Sequence, residues 1–456
     1  MNHLSSETFR ENANAALADT QLRGALKNAT SLFGDRRRSA AASLPNWEDL
    51  RSQARAIKDE VLSHLDKYLE DFVRAAESRG AKIHWARDAA EANTIICRLA
   101  AEHKARIIVK SKSMTTEETH LNTALEAAGM QVVETDLGEY IIQLADEPPS
   151  HIIAPAIHKT RGQVSELFTS ELGAPPTDDV AQLTGTARAT LRDRFAAADI
   201  GISGVNFAIA ETGTIVIIEN EGNIRLTTSL PRVHIAVMGI EKVIPRFADL
   251  EVFLKLLPRS ATGQKLSTYQ SFITGTKRQA TDEGPEELHI VLLDNGRSRM
   301  LAHPVTRQSL ACIRCGACLN VCPVYQQVGG HAYGSVYPGP IGAVITPQLM
   351  GIEKTSQLPY ASSLCGACRE VCPVKIDIPR LLLHLRGEIS ERKGSAGERL
   401  VFKLWARVMM SPALYKMSGV AGRLLQRVVP ISRAWTSGRD LRPIERRSFR
   451  ELWSDE

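Results

Sequence analysis

Apolar residues recur at three- and four-residue intervals among charges through the first part of the chain, most clearly from Leu50 to Val73. That period predicts N-terminal helices over residues 1–78. The run Arg36-Arg37-Arg38 ahead of Ser43-Leu-Pro45 reads as a helix end and a loop, with its charges on a solvated surface or on a docking patch. From 79 to 300 the period changes. Short Val- and Ile-rich runs at Ile107–Val109, Gln131–Glu134, Tyr140–Leu144, Thr214–Ile218, His234–Val237 and His289–Leu293 alternate with helical stretches. The fold class is therefore α/β, a sheet covered by helices. Thr115–Ala128 reads as one helix opened by a capping box from Thr115 to Glu118, and Gly129 interrupts it. Thr212–Asn223 reads as a hairpin, a buried strand and a polar Gly/Asn turn leading into Arg225.

Residues 301–388 lose this alternation and hold most of the cysteines. The Gly-, Pro- and Tyr-rich stretch Gln326–Ser363 predicts mostly loop with a short helix, and its His331 is expected on a loop or surface rather than as a cofactor partner. Residues 389–456 form a basic extension, amphipathic around Leu404–Tyr415. Such a stretch packs on the protein or a partner, or lies on a membrane surface.

Of eight cysteines, seven fall in two groups. The first reads Cys312-Ile-Arg-Cys315-Gly-Ala-Cys318-Leu-Asn-Val-Cys322-Pro323, and the second Cys365-Gly-Ala-Cys368-Arg-Glu-Val-Cys372-Pro373. Three closely spaced thiolates followed by a fourth and a proline is the two-cluster ferredoxin pattern, in which the fourth cysteine reaches across to the other cluster. The expected ligands are Cys312, Cys315, Cys318 and Cys372 for cluster 1, and Cys322, Cys365 and Cys368 for cluster 2. The two clusters are read as [4Fe-4S], but the second lacks a thiolate because the eighth position is Ser362. Its last iron is held by a hydroxyl, water or carboxylate, by a partner, or is absent, leaving [3Fe-4S]. Zinc would explain C-x2-C pairs but not the fourth cysteine and proline. Cys97, on a predicted helix, is expected to pack in the core, with ligation of the open iron as its functional alternative.

Metal-binding thiolates must stay reduced, which points to the cytoplasm. No secretory signal and no apolar run of membrane-spanning length is evident. Without a G-x-G-x-x-G or G-x4-G-K-[ST] motif, a nicotinamide or ATP enzyme is unsupported. A net charge of +5 and the lack of a reading element give no sign of nucleic-acid binding or of a regulatory sensor.

Several motifs together resemble a known family. They are Lys112-Ser-Met114-Thr-Thr-Glu-Glu118, Glu134-Thr-Asp136-Leu-Gly-Glu139-Tyr, Asn206-Phe-Ala-Ile-Ala-Glu211-Thr-Gly213-Thr, Leu230-Pro-Arg232-Val-His234, both cysteine groups, and Trp435 with Arg439-Asp440-Leu. The chain is similar throughout to the LutB/LldF family, the iron–sulfur subunit of bacterial L-lactate utilisation complexes. The resemblance implies a LUD domain of the isomerase and CoA-transferase fold group, and a helical ferredoxin-type domain with two clusters, the second with three named cysteines. It also implies oxidation of L-lactate to pyruvate with electrons passed toward the respiratory chain. The implied partners are a LutA/LldE-like subunit with CCG domains, a LutC/LldG-like LUD subunit and a respiratory acceptor. The alternative is a LUD enzyme acting on another small hydroxy or organic acid, its clusters structural or relaying. On that fold Glu211, Asn206, Lys112 and Arg232 become candidates for proton transfer and acid binding, or else residues that fix turns. The implied location is the cytoplasm, with peripheral contact at the inner membrane face as the open alternative.

Overall fold

The computed structural model describes residues 5–279, 281–394, 396–426, 444–445, 447 and 449–453. Trp435, Arg439 and Asp440 lie outside the described residues. The chain divides into two compact units, Met1–Arg386 and Gly387–Glu456. In the first, four helices come before any strand: α1 (Phe9–Ala18), α2 (Thr20–Ala42), α3 (Trp47–Ser63) and α4 (Leu65–Glu77).

Among the described residues ten strands follow: β1 (Ala81–Ala86), β2 (Ile107–Lys110), β3 (Gln131–Glu134), β4 (Ile200–Gly204), β5 (Phe207–Ile209), β6 (Thr214–Glu219), β7 (Val233–Gly239), β8 (Val243–Ile244), β9 (Tyr269–Ile273) and β10 (Glu287–Leu293). Six make a sheet in the order β1-β10-β7-β4-β2-β3, with every pairing parallel. The other four form a second sheet, β8-β5-β6-β9. The parallel sheet is buried on both faces, as helical crossovers require. On β10, Leu288, Ile290 and Leu292 pack with Leu69, Phe72 and Ala76 of α4. Val291 and Leu293 point the other way, toward Ala92, Ile96 and Leu99 of the helix Ala89–Glu102. Cys97, on that helix, packs against the same apolar cluster.

Four local expectations change. Tyr140–Leu144 is part of a helix, Leu137–Leu144, not a strand. The Asp136 carboxylate caps it by accepting from the Gly138 and Glu139 amides at 3.0 and 3.2 Å. Its run looks strand-like because Tyr140 and Ile141 face different apolar clusters. The helix expected over Thr115–Ala128 is two, Met114–Glu118 and Leu121–Ala127, broken at His120 with φ +53°. Its cap is Ser113, not Thr115, while Asn93 Nδ2 holds the Thr119 carbonyl at 2.7 Å. Residues after the Gly222 turn form the helix Asn223–Ser229 rather than a second hairpin strand, and β6 pairs with β5 and β9. The Arg36–Arg38 run lies within α2, where Arg37 Nη2 donates to the Val371 carbonyl at 3.0 Å.

One buried ion network ties the sheet to the cysteine-bearing segment. Arg297, just after β10, donates to Glu118 at 2.8 Å through both terminal nitrogens and to Glu241 at 2.6 Å. The Tyr337 hydroxyl donates to Glu118 at 2.7 Å. Arg314, inside the first cysteine group, lies 3.5 Å from Glu241 and stacks on Tyr337 at 4.8 Å. Burial alone would push Glu241 up, but Arg297 and Arg314 hold it near 2.

A second latch is steric. Gly330, between the cysteine groups, packs so tightly on residue 150 that a Cβ would sit 1.8 Å from its carbonyl oxygen. That Ser150 carbonyl also accepts from the Tyr325 hydroxyl at 2.7 Å.

Two outcomes follow from these contacts. Arg297→Met should destabilise the fold by about 3–5 kcal/mol near neutral pH, because two carboxylates stay buried without their cation. Glu241 has a depressed folded pKa, so its contribution is complete above its ordinary value of 4.5 and is lost as pH falls toward 2. The gap between variant and wild type in urea unfolding should therefore narrow below about pH 4.5. A gap independent of pH would remove the network from this role. Gly330→Ala should lower stability by about 1–3 kcal/mol and reduce the iron retained after reconstitution, measured by thermal unfolding and metal analysis.

Candidate metal centre

The two cysteine groups build nearly the same loop. Each enters through a left-handed non-glycine residue, Arg314 at φ +59° and Leu364 at +56°. Each then turns at a left-handed glycine, Gly316 at +72° and Gly366 at +86°, and starts a short helix, Ala317–Asn320 or Ala367–Val371. Left-handed backbone favours glycine, and single amides beside these turns point at sulfur. The Arg314 amide donates to Cys312 Sγ at 3.4 Å, and the Ile376 amide to Cys372 Sγ at 3.3 Å.

The loops cross. Cys312, Cys315, Cys318 and Cys372 line one small cavity, closed by Ile341, Val374, Ile376 and Ile378. Cys322, Cys365 and Cys368 form the neighbouring set, in which Cys322 and Cys365 are electrostatic neighbours of Cys368. Cys315, Cys318, Cys322, Cys368 and Cys372 are buried, Cys312 is half-buried and Cys365 is exposed. Burial and neighbouring sulfurs push Cys368 up to about 12, and burial above all pushes Cys372 up to about 11. Cys365 moves the other way, lowered by the Ala367 amide and the Ser363 hydroxyl. Crowded sulfurs in an apolar wall can be thiolates together only around shared positive charge. A soft, sulfur-rich donor set of this kind fits an iron–sulfur cluster.

The surroundings of the first set are cationic. Arg51 of α3 donates to the Cys372 carbonyl through Nε at 3.1 Å and Nη2 at 2.9 Å. Arg37 faces Cys315 and Cys372, while Lys58, Lys242 and Arg314 face Cys312. Lys58 Nζ is anchored on the Glu241 carbonyl.

A separate cavity of about 310 Å³ opens beside this set. Lys112, Asp136, Asn206, Glu219, Glu221 and Lys242 line it from the α/β part, and Arg314 and Tyr337 from the cysteine-bearing segment. Lys112 Nζ is buried there with no hydrogen-bond partner among the described residues. Burial and the nearby Asp136 push Glu221 up to about 7, a value suited to proton exchange at neutral pH. Of the four candidates for substrate chemistry, the structure brings together only Lys112 and Asn206. Asn206 also ties the chain locally, accepting from the Ile218 amide at 2.9 Å. Glu211 lines a different groove, where it accepts from the Phe247 amide at 2.8 Å. Arg232 is 80% exposed and paired with Glu286. Both are therefore removed from the shared site. Glu221, Lys242 and Arg314 were missed, although Glu221 lies in the Glu219-Asn-Glu-Gly turn and Arg314 within the first C-x2-C pair. His331 opens a short 3-10 helix, His331–Tyr333, rather than lying on a loop, and its Nε2 bonds the Pro148 carbonyl at 2.8 Å.

Comparisons with known proteins agree along the chain. Residues 69–293 match the LUD domain, 308–376 the 4Fe-4S dicluster domain, and 382–456 the C-terminal domain of lactate utilisation protein B. Lactate utilization protein B of Anoxybacillus flavithermus is 44% identical over 97% of this chain and 96% of its own length. The Bacillus subtilis protein of the same name is 45% identical over 91% of this chain and 87% of its own. A solved DUF162 family protein from Deinococcus radiodurans aligns with 52% of this chain and 98% of its own at 14% identity, with a TM-score of 0.26. On the near full-length identity and the three matched domains, the chain belongs to the lactate utilization protein B family, as an iron–sulfur protein of lactate utilisation.

Proposed function

We propose that this chain is the electron-transfer subunit of a complex that oxidises L-lactate to pyruvate and passes the electrons toward the respiratory chain. The observation that carries this is the crossed pair of cysteine sets. In this reading Cys312, Cys315, Cys318 and Cys372 hold one [4Fe-4S] cluster, and Cys322, Cys365 and Cys368 hold the second. Lactate oxidation releases two electrons, and bound clusters supply centres that each take one at a time. Arg37, Arg51, Lys58, Lys242 and Arg314 offset the negative charge of the first set, which eases its reduction. Exposed Cys365 makes the second set the natural exit.

The neighbouring cavity favours a related reading, in which the LUD part itself binds a small hydroxy or organic acid. Lys112, Lys242 and Arg314 supply charge for a carboxylate, and Glu221 can accept a proton. In either case the partners are a LutA/LldE-like CCG-domain subunit and a LutC/LldG-like LUD subunit, in a cytoplasmic complex. No helix among the described residues is long and apolar enough to cross a membrane. Instead, the helices Ala396–Met410 and Pro412–Leu425 expose Phe402, Trp405, Met410, Met417 and Leu424 beside basic residues. These helices provide the contact with a partner or with the inner membrane face.

Reconstitution tests the assignment. Lactate should reduce the clusters, followed by absorbance and electron paramagnetic resonance, when the two partner subunits are present and not with the chain alone. Reduction of the isolated chain would move the substrate site into it and favour the LUD-enzyme reading. No reduction in either case, with activity on another hydroxy acid, would overturn the lactate assignment. Cys315→Ala should lose about half of the iron and acid-labile sulfide, and stoichiometric zinc without sulfide would end the redox reading. A chain ending at residue 398 should lose a salt-sensitive association with partners or anionic vesicles that the full chain shows. Equal behaviour of the two chains would leave the tail without a docking role.

A further inference from the structure

We infer that Ser362 Oγ is the protein's own fourth donor to the second cluster. The inference rests on the two-cluster reading above and deepens it. Aligning the groups on Cys315-Gly-Ala-Cys318 and Cys365-Gly-Ala-Cys368 puts Ser362 in the place of Cys312. The backbone keeps the same register. Arg314 and Leu364, two residues after these positions, share the left-handed conformation, as do Gly316 and Gly366 two residues later. The hydrogen bond to the donor atom is repeated too. The Leu364 amide reaches Ser362 Oγ at 3.1 Å, just as the Arg314 amide reaches Cys312 Sγ at 3.4 Å. A side-chain oxygen thus stands where the first loop presents a ligand sulfur.

The loop is held there from outside. Arg386 donates through Nε to the Pro359 carbonyl at 2.8 Å and through Nη2 to the Ser362 carbonyl at 3.1 Å, while stacking on Tyr360 at 5.0 Å. Among the described residues Ser362 Oγ takes no hydrogen bond other than that from Leu364, so lone pairs remain for a metal. The competing donors are placed elsewhere. Ser363 occupies the register of Ile313 and its hydroxyl goes to the Cys365 sulfur. Cys97 is packed against the sheet. Binding needs no redox partner: the Oγ–H proton leaves to water as the iron–oxygen bond forms, and no electron moves.

The test uses the full-length chain loaded anaerobically with iron-57 and sulfide, comparing wild type with Ser362→Ala, Ser362→Cys and Ser363→Ala by metal analysis, Mössbauer and electron paramagnetic resonance. Wild type should carry about eight irons, with one iron distinguishable as oxygen-ligated. Ser362→Ala should lose about one iron on mild oxidation and give a three-iron signal that wild type under the same treatment lacks. Ser362→Cys should keep all the iron, abolish the distinct site and shift the midpoint potential of one cluster only. Ser363→Ala should match wild type. If Ser362→Ala fails to fold, Ser362→Cys decides alone. Spectra and iron content of Ser362→Cys and Ser362→Ala indistinguishable from wild type would assign the corner to water or a partner and overturn the serine ligand. A wild-type chain that takes zinc and no sulfide would instead overturn the two-cluster reading beneath it.

Discussion

Everything around the cysteines depends on how a buried guanidinium is neutralised. Arg297 sits fully inside the protein between Glu118 and Glu241, whose carboxylate side chains are themselves almost shut off from solvent. A buried ion set of this kind does not have to add stability over a well-packed apolar core. What it does add is uniqueness of position. Glu118 ends one helix over the sheet, Glu241 follows β7, and Tyr337 and Arg314 belong to the cysteine-bearing segment. Displacing that segment strands charge in an apolar interior. The cysteine loops are therefore fixed to the sheet by electrostatics that tolerate little sliding.

The same network divides the charge unevenly. Arg314 and Lys242 face both Cys312 and the Lys112 cavity, so an anion in the cavity and electrons on the first cysteine set would draw on the same positive groups. On the proposed reading, a carboxylate bound there and reduction of the neighbouring set would oppose each other, since each would add negative charge to one pool of cations. The second cysteine set, with Cys365 exposed and no comparable ring of lysines and arginines described around it, stands outside this coupling.

The sequence was most informative where chemistry demands local spacing. The cysteine runs announced their cofactor because three sulfurs must reach one small object from one loop. Strands β2, β3, β7 and β10 were legible as apolar runs because a parallel sheet is buried on both faces. The same rule misled at Tyr140–Leu144, since a short helix with faces on two apolar clusters also shows consecutive apolar residues. Glu118 and Arg297 are 179 positions apart, and no local pattern joins them. For the same reason Glu211 and Arg232 stood with Lys112 and Asn206 as candidates on the implied fold, yet the topology sends Glu211 to another groove and Arg232 to solvent.

The likeness of the two cysteine loops has a further consequence. Their backbones agree through the left-handed residue, the glycine and the short helix, although the residues beside the cysteines differ: arginine against leucine, and Leu-Asn against Arg-Glu. Loop geometry is therefore set by ligand spacing and by amides aimed at the donors, not by those neighbouring side chains. The neighbours are free to set the environment instead. Arg314 ties the first loop to the buried ion network, whereas Leu364 brings no charge to the second. Two copies of one loop thus have two different surroundings, one embedded in fixed positive charge and the other near solvent.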